Sequence, residues 1–128
     1  MPDYDAENFD PPAPVVYVIL RNPATGASLQ DIPMLIDTGA DATALPRTYV
    51  EQLEIEPIKD KVYEAQGFDG QTRLVNMVEL ELEFLGRKFK GQFLLVDQPF
   101  GFLGRNILNN LHILLDGPRN KWSEHKRT

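Results

Sequence analysis

The chain has 128 residues, of which 42% are hydrophobic and 25% charged, as expected of one globular domain with its own core. Its formal net charge of −6 argues against general nucleic-acid binding, which needs a basic face to neutralise phosphates. The absence of cysteine excludes disulfides, thiol nucleophiles and thiolate metal sites.

The two ends differ in composition from the segment between them. Residues 1–14 combine acids with prolines, which predicts a flexible arm. The arm has no apolar segment typical of a secretory signal, and no apolar run is long enough to span a bilayer. We therefore expect a cytoplasmic protein without a membrane partner. Residues 118–128 are basic and predict a solvated tail, which leaves one folded domain at residues 15–117.

The domain is predicted to consist mostly of short β-strands. Residues 61–84 contain two arms joined by a glycine-bounded tip, "GFDG", and Glu79, Glu81 and Glu83 alternate with apolar residues as on a strand with one solvated face. Helical spacing predicts a short helix near residues 46–53, and a second one opens "NILNNLHILLDG". This pattern predicts an all-β fold, a closed or sandwich-like domain with one or two short helices. The strand-bearing segments are residues 15–20, 27–37, 61–84, 89–96, 97–106 and 106–117.

Most catalytic and metal-binding motifs are missing from the sequence. Ser28 and Ser123 lie beside a turn and in the tail, without the G-x-S-x-G turn of serine hydrolases. His112 and His125 do not have the spacing of metal ligands, so no metal ion is expected. There is also no phosphate-binding glycine loop. Carboxylates remain as the groups that chemistry could use.

Asp37 differs from the other carboxylates in its position. It follows the apolar run "MLI" and begins "DTG", so its carboxylate is expected near the boundary of the core. Thr38 supplies a hydroxyl, and Gly39 allows a close backbone approach because it has no Cβ. Backbone N–H groups of such a turn can hold a carboxylate rigidly. From these residues alone, both an ordinary turn and a catalytic carboxylate remain open.

Two segments together resemble the retropepsin family, the single-lobe aspartic proteases typified by retroviral proteases. "LIDTGADAT" is similar to the active-site segment of that family, and "FLGRN" to its second signature, an apolar strand followed by Gly-Arg-Asn and a helix. The order of hairpin, Asp-Thr-Gly, flap-like hairpin, long strands, Gly-Arg-Asn, helix and final strand also agrees. The resemblance covers residues 15–117 and implies a retropepsin-like acid protease fold in a C2 homodimer.

The resemblance implies an aspartic endopeptidase with Asp37 as its catalytic carboxylate. Thr38 would bond across the two-fold axis of the dimer, and Gly39 would bind substrate backbone through its carbonyl. The chemistry needs one ionised carboxylate to take a proton from water and one protonated carboxylate to polarise the peptide carbonyl. Since the chain supplies one, the second is expected from a partner copy, with no metal or organic cofactor. A dimer of the same fold that binds peptides without cutting them is the alternative function.

The resemblance implies roles for residues beyond the Asp-Thr-Gly turn. Asp41 would pair with Arg105 behind the site, with Asn106 as further support, and two unrelated surface charges are the alternative. The flap tip would span residues 66–70 and close over the substrate, although it has fewer glycines than a retroviral flap and carries an acid. Core packing is the alternative for the two phenylalanines in the implied substrate-binding set. That set is Ala40, Asp41, Gln66, Gly67, Phe68, Phe100 and Phe102.

Overall fold

The structure is a computed structural model that describes residues 1–66 and 70–125. These residues form mostly strands with two short helices, which confirms the predicted all-β class. No helix among them is long and apolar enough to cross a membrane. The strands are β1 (Val15–Arg21), β2 (Ser28–Ile36), β3 (Ala44–Pro46), β4 (Val62–Gln66), β5 (Thr72–Phe84), β6 (Arg87–Val96), β7 (Gly101–Leu103), β8 (Ile113–Asp116) and β9 (Lys121–Glu124), and the helices are α1 (Arg47–Gln52) and α2 (Arg105–Leu108).

Six of these strands close into a barrel. Their hydrogen-bonded order is β1-β2-β7-β3-β6-β5, and a further pairing between β1 and β5 closes the ring. β2 pairs in parallel with β7, and β3 with β6, whereas the other pairings in the ring are antiparallel. β4 lies outside the ring and pairs with the first five residues of β5. The β4–β5 hairpin is therefore an extension of a barrel strand.

Alternating apolar side chains fill the interior of the barrel. Every second residue over most of β1 and the second half of β5 is fully buried, as the two-residue period of a strand requires. Each such side chain contributes about 1.5–3 kcal/mol by leaving water. The interior is thus a packed core, and any ligand site has to lie outside it. The fully buried residues of these two strands are Val16, Val18, Leu20, Val78, Leu80 and Leu82.

Glu81 departs from the solvated face that the sequence predicts for β5. Its side chain is only 8% exposed and forms an ion pair with Arg21 of β1. Glu83 adds a second carboxylate 3.6 Å from the same guanidinium. Arg21 and Glu81 lie opposite each other in the β1–β5 pairing that closes the barrel. Arg21 is distant from Glu81 in sequence, so the alternation within β5 does not reveal this contact. The prediction of a solvated side chain is wrong for Glu81, while Glu79 is exposed as expected.

Removing the charged partner of Glu81 is expected to destabilise the barrel. Arg21→Met should lower the free energy of unfolding, because it leaves the Glu81 carboxylate, 8% exposed, without its ion-pair partner. Urea unfolding followed by tryptophan fluorescence measures this loss. The matched control is Arg119→Met, since Arg119 is 75% exposed and 3.7 Å from Asp116, and should change stability by about 0.5 kcal/mol or less. Equal stability of the two variants would contradict this role of Arg21.

The basic end of the chain contains a strand where the sequence predicts a solvated tail. β9 pairs with β8, and Trp122 of β9 is 7% exposed, with its ring 5.9 Å from that of Phe84. The solvated-tail prediction is therefore wrong for residues 121–124, because one large aromatic side chain anchors a segment of otherwise polar residues. The acidic arm lies along β9, where the Tyr4 N–H donates to the carbonyl of Asn120 at 2.7 Å.

Candidate active site

Asp37 comes directly after β2 and begins a tight turn. The Ala40 N–H donates to the carbonyl of Asp37 at 3.2 Å, and the Gly39 N–H donates to its carboxylate Oδ1 at 3.0 Å. The N–H of Asp37 donates to the carbonyl of Leu103 at 3.1 Å, which ties the turn to β7. A Cβ on Gly39 would lie 3.2 Å from the Asp37 Oδ1. The turn thus holds a half-buried carboxylate in one orientation, and glycine leaves room for it.

The Gly-Arg-Asn segment lies against this turn because β7 pairs in parallel with β2. The Arg105 N–H donates to the carbonyl of Ala40 at 2.9 Å. Thr43 Oγ1 accepts from the Gly104 N–H at 3.0 Å and donates to Asn106 Oδ1 at 2.7 Å. Thr43 is fully buried, so water does not compete for these bonds. Asn106 and Thr43 together support the loop that carries Asp37.

Gly104 allows the two loops to touch. A Cβ at this position would stand 2.4 Å from the carbonyl oxygen of Ala42 and 3.1 Å from that of Ala40. Both contacts are with backbone, which cannot rotate away as a flexible side chain can. Any larger residue at 104 therefore has to displace the loop that follows Asp37.

The expected ion pair between Asp41 and Arg105 is not formed among the described residues. Arg105 begins α2 behind the turn, and its Nη1 donates to the carbonyl of Thr38 at 2.8 Å. Asp41 has a different partner, because its Oδ2 accepts from the hydroxyl of Tyr63 at 3.2 Å. Arg105 still holds the active-site loop, but through a backbone carbonyl. The predicted ion pair between Asp41 and Arg105 is therefore wrong. Each of the two side chains is hydrogen-bonded to a different partner, and both are exposed.

A groove of about 510 Å³ opens beside Asp37, between the active-site loop and the β4–β5 hairpin. The loop supplies two carboxylates, those of Asp37 and Asp41. The hairpin covers one side, and β6 and β7 supply apolar side chains beneath it. The lining residues are Asp37, Gly39, Ala40, Asp41, Ala42, Ala44, Tyr63, Ala65, Gln66, Val75, Leu94, Val96 and Phe102.

The groove contains most but not all of the residues that the sequence assigns to the site. Phe100 is absent from its lining and instead packs edge-on against Phe9 of the acidic arm, with ring centroids 5.2 Å apart. The side chain of Thr38 is exposed and also outside the groove. Gly67 and Phe68 of the expected flap tip lie outside the described residues. The other implied substrate-binding residues line the groove, namely Ala40, Asp41, Gln66 and Phe102.

Four larger groove residues were missed by sequence reasoning. Tyr63 and Val75 are partners across the β4–β5 hairpin, so they share the face that turns toward the loop. Leu94 and Val96 alternate along β6 and meet the groove from the barrel side. The available signal was the two-residue period of each strand, which places Tyr63 and Ala65 on one face of β4. That period gives the face of a strand but not which face meets the groove.

A family model of the retroviral aspartyl protease matches residues 12–116. This span includes the Asp-Thr-Gly turn, the β4–β5 hairpin and the Gly-Arg-Asn segment. The chain belongs to the retroviral aspartyl protease family. Its enzyme class is therefore that of the aspartic endopeptidases, and the resemblance drawn from two short segments is confirmed.

Relatives of this retroviral aspartyl protease domain agree with the assignment. The chain is 30% identical over 101 residues to the Pol polyproteins of equine infectious anemia virus, strain Wyoming and isolate 1369. Each match covers 76% of this chain and 9% of the polyprotein, so the chain spans a small part of those relatives. The solved EIAV protease complexed with the inhibitor HBY-793 has a TM-score of 0.54 at 24% identity, covering 84% of this chain and 91% of that chain. This likeness confirms the predicted fold.

Proposed function

We propose that the chain is an endopeptidase that works as a C2 homodimer, with one Asp37 from each protomer in a shared active site. The observation that carries the proposal is the single Asp37 carboxylate, fixed by the Gly39 N–H at 3.0 Å at the edge of a groove. The other carboxylate among the described lining residues, Asp41, is hydrogen-bonded to Tyr63, so no described residue of the same chain offers Asp37 a free carboxylate as partner.

Two Asp37 carboxylates across a two-fold axis supply both roles that peptide hydrolysis requires. At a separation of about 3 Å they share one proton, because two adjacent negative charges repel strongly. The ionised carboxylate takes a proton from the attacking water, and the protonated one donates to the carbonyl oxygen of the scissile bond. The proton taken from water then passes to the leaving amine as the carbon–nitrogen bond breaks, and one hydroxyl of the tetrahedral intermediate returns a proton to the other carboxylate as its carbonyl re-forms. The titration belongs to the pair and not to either residue.

The C-terminal hairpin supports assembly with a second copy. One edge of β8 pairs with β9, and its other edge has no strand partner in the described part of the chain. Leu114 and Leu115 of β8 are 48% and 46% exposed. An open strand edge with exposed leucines is well suited to pairing with another strand. Such pairing across a two-fold axis buries the same surface on both protomers.

The groove favours substrates with apolar side chains. Val75, Leu94, Val96 and Phe102 supply its larger apolar walls, and neither lysine nor arginine is among the described residues that line it. Its two carboxylates disfavour acidic side chains, because like charges repel and burial raises the cost. The expected substrate is therefore an extended peptide with apolar residues beside the scissile bond and few acids nearby.

A peptide-library digest read by mass spectrometry tests the proposed activity. We expect internal cleavage next to apolar residues between pH 4 and 7, and inhibition by a statine-type peptide, which places a hydroxyl where the attacking water stands. Peptide binding without cleavage, by a chain that is dimeric in solution, would replace the endopeptidase with the peptide-binding module. A chain that remains monomeric at high concentration would contradict the shared site.

A further inference from the structure

Tyr63 occupies a particular place on the hairpin that covers the groove. It is half-buried on β4 and lines the groove together with its cross-strand partner Val75. The flanking residues of the two strands face the other way, and Val62 and Leu74 among them are 55% and 69% exposed. Tyr63 is thus the large aromatic side chain that β4 directs toward the active-site loop.

The hydroxyl of Tyr63 links this hairpin to the active-site loop. It donates to Asp41 Oδ2 at 3.2 Å, and Asp41 is four residues beyond Asp37 in a loop already fixed by backbone hydrogen bonds. Burial raises the pKa of Tyr63 above its ordinary value of 10.0, and the charge of Asp41 raises it further. The folded chain therefore favours the protonated phenol, and this contribution to stability is lost only as the pH rises above 10. At the pH of aspartic protease chemistry the hydroxyl remains a donor.

We propose that Tyr63 is a positioning residue, whose bond to Asp41 holds the β4–β5 hairpin in place over the groove before the substrate arrives. The proposal rests on the endopeptidase function above and adds a determinant of substrate affinity to it. The acceptor of this hydrogen bond is Asp41 and not Asp37. Its loss should therefore change the position of the groove wall and leave the proton transfers by Asp37 unchanged. Because this wall of the groove is already ordered in the free protein, substrate binding costs less conformational entropy.

Tyr63→Phe is the direct test, because it removes the hydroxyl and keeps the ring that fills the groove. We expect the KM for a cleaved peptide to rise about five- to tenfold with kcat changed less than about twofold, as expected for loss of one hydrogen bond. The matched control is Tyr17→Phe, since Tyr17 is 57% exposed on β1 and lines no part of the groove, and its KM should not change. In an Asp41→Ala background, Tyr63→Phe should have no further effect, because the acceptor is already gone.

Amide hydrogen exchange of the free protein gives a second readout that does not depend on activity. Tyr63→Phe should speed exchange in β4 and in the first half of β5 by about fivefold or more, and leave the barrel strands β1 and β2 unchanged. If wild type neither cleaves nor binds peptides, the proposed function fails, and the exchange result alone decides the role of Tyr63. If exchange in the hairpin is unchanged, or if KM in a cleaving enzyme matches the Tyr17→Phe control, the positioning role is overturned.

Discussion

Asp37→Asn is expected to reduce peptide hydrolysis by about 10³-fold or more while leaving the fold intact. Asparagine keeps an oxygen that can accept the Gly39 N–H, now at 3.0 Å from Oδ1, so the turn should hold. It cannot ionise to take a proton from water, and in a homodimer the substitution removes both carboxylates together. Proton transfer by a placed side chain contributes typically about 10²–10⁴-fold, which sets the scale of the loss.

The loss is measured as kcat/KM on one peptide cleaved by the wild type, with thermal unfolding as a check on the fold. Asp31→Asn is the matched control, because it makes the same chemical change on β2 at an exposed position that does not line the groove. The backbone φ of Asp31 is 60°, a left-handed conformation that asparagine adopts readily. Its activity should equal that of the wild type. Cleavage by Asp37→Asn at the wild-type rate would remove Asp37 from the chemistry.

Gly104→Ala is expected to destabilise the domain by about 3 kcal/mol, at the upper end for overpacking. The added methyl would stand 2.4 Å from the carbonyl oxygen of Ala42, so backbone has to move. That movement pulls on the bond between the Gly104 N–H and Thr43 Oγ1, which joins the two loops of the site. Activity should therefore fall together with stability, because the displaced loop carries Asp37.

Gly91→Ala is the control for that substitution, since nothing lies within 4 Å of a Cβ at Gly91 and its φ is not left-handed. Chemical unfolding should show a stability change within about 0.5 kcal/mol for Gly91→Ala. A Gly104→Ala variant as stable as Gly91→Ala would show that the loops separate without cost. That result would contradict the conclusion that only glycine at position 104 allows the Gly-Arg-Asn segment to lie against the turn.

The sequence contained enough information for the fold and for the position of Asp37. Local signals sufficed there, since strand alternation, glycine turns and the string "LIDTGADAT" each depend on neighbouring residues. No local pattern indicates the parallel pairing of β2 and β7. The resemblance implied only that the Gly-Arg-Asn segment lies close to the Asp-Thr-Gly turn. Among the larger apolar residues that line the groove, only Phe102 was anticipated.

The wrong predictions share a physical cause: the surroundings of these side chains are set by contacts with residues distant in sequence. Glu81 is buried because Arg21 closes the barrel beside it, and alternation within β5 contains no trace of that contact. Asp41 bonds to Tyr63, 22 residues away, where the resemblance implies Arg105. Trp122 lies in a segment whose charge suggested a tail, although a lone tryptophan was the one sign of an anchor.

The shared active site is tested most directly by mixing the wild type with an excess of Asp37→Asn at constant wild-type concentration and saturating peptide. If each site takes one Asp37 from each chain, a ninefold excess should leave about one wild-type chain in ten paired with another wild-type chain. After the subunits exchange, the cleavage rate should therefore fall about tenfold, and the same excess of an unrelated protein should have no effect. A rate that stays constant through the titration would show that one chain carries a complete active site, and would contradict the shared pair of Asp37 carboxylates.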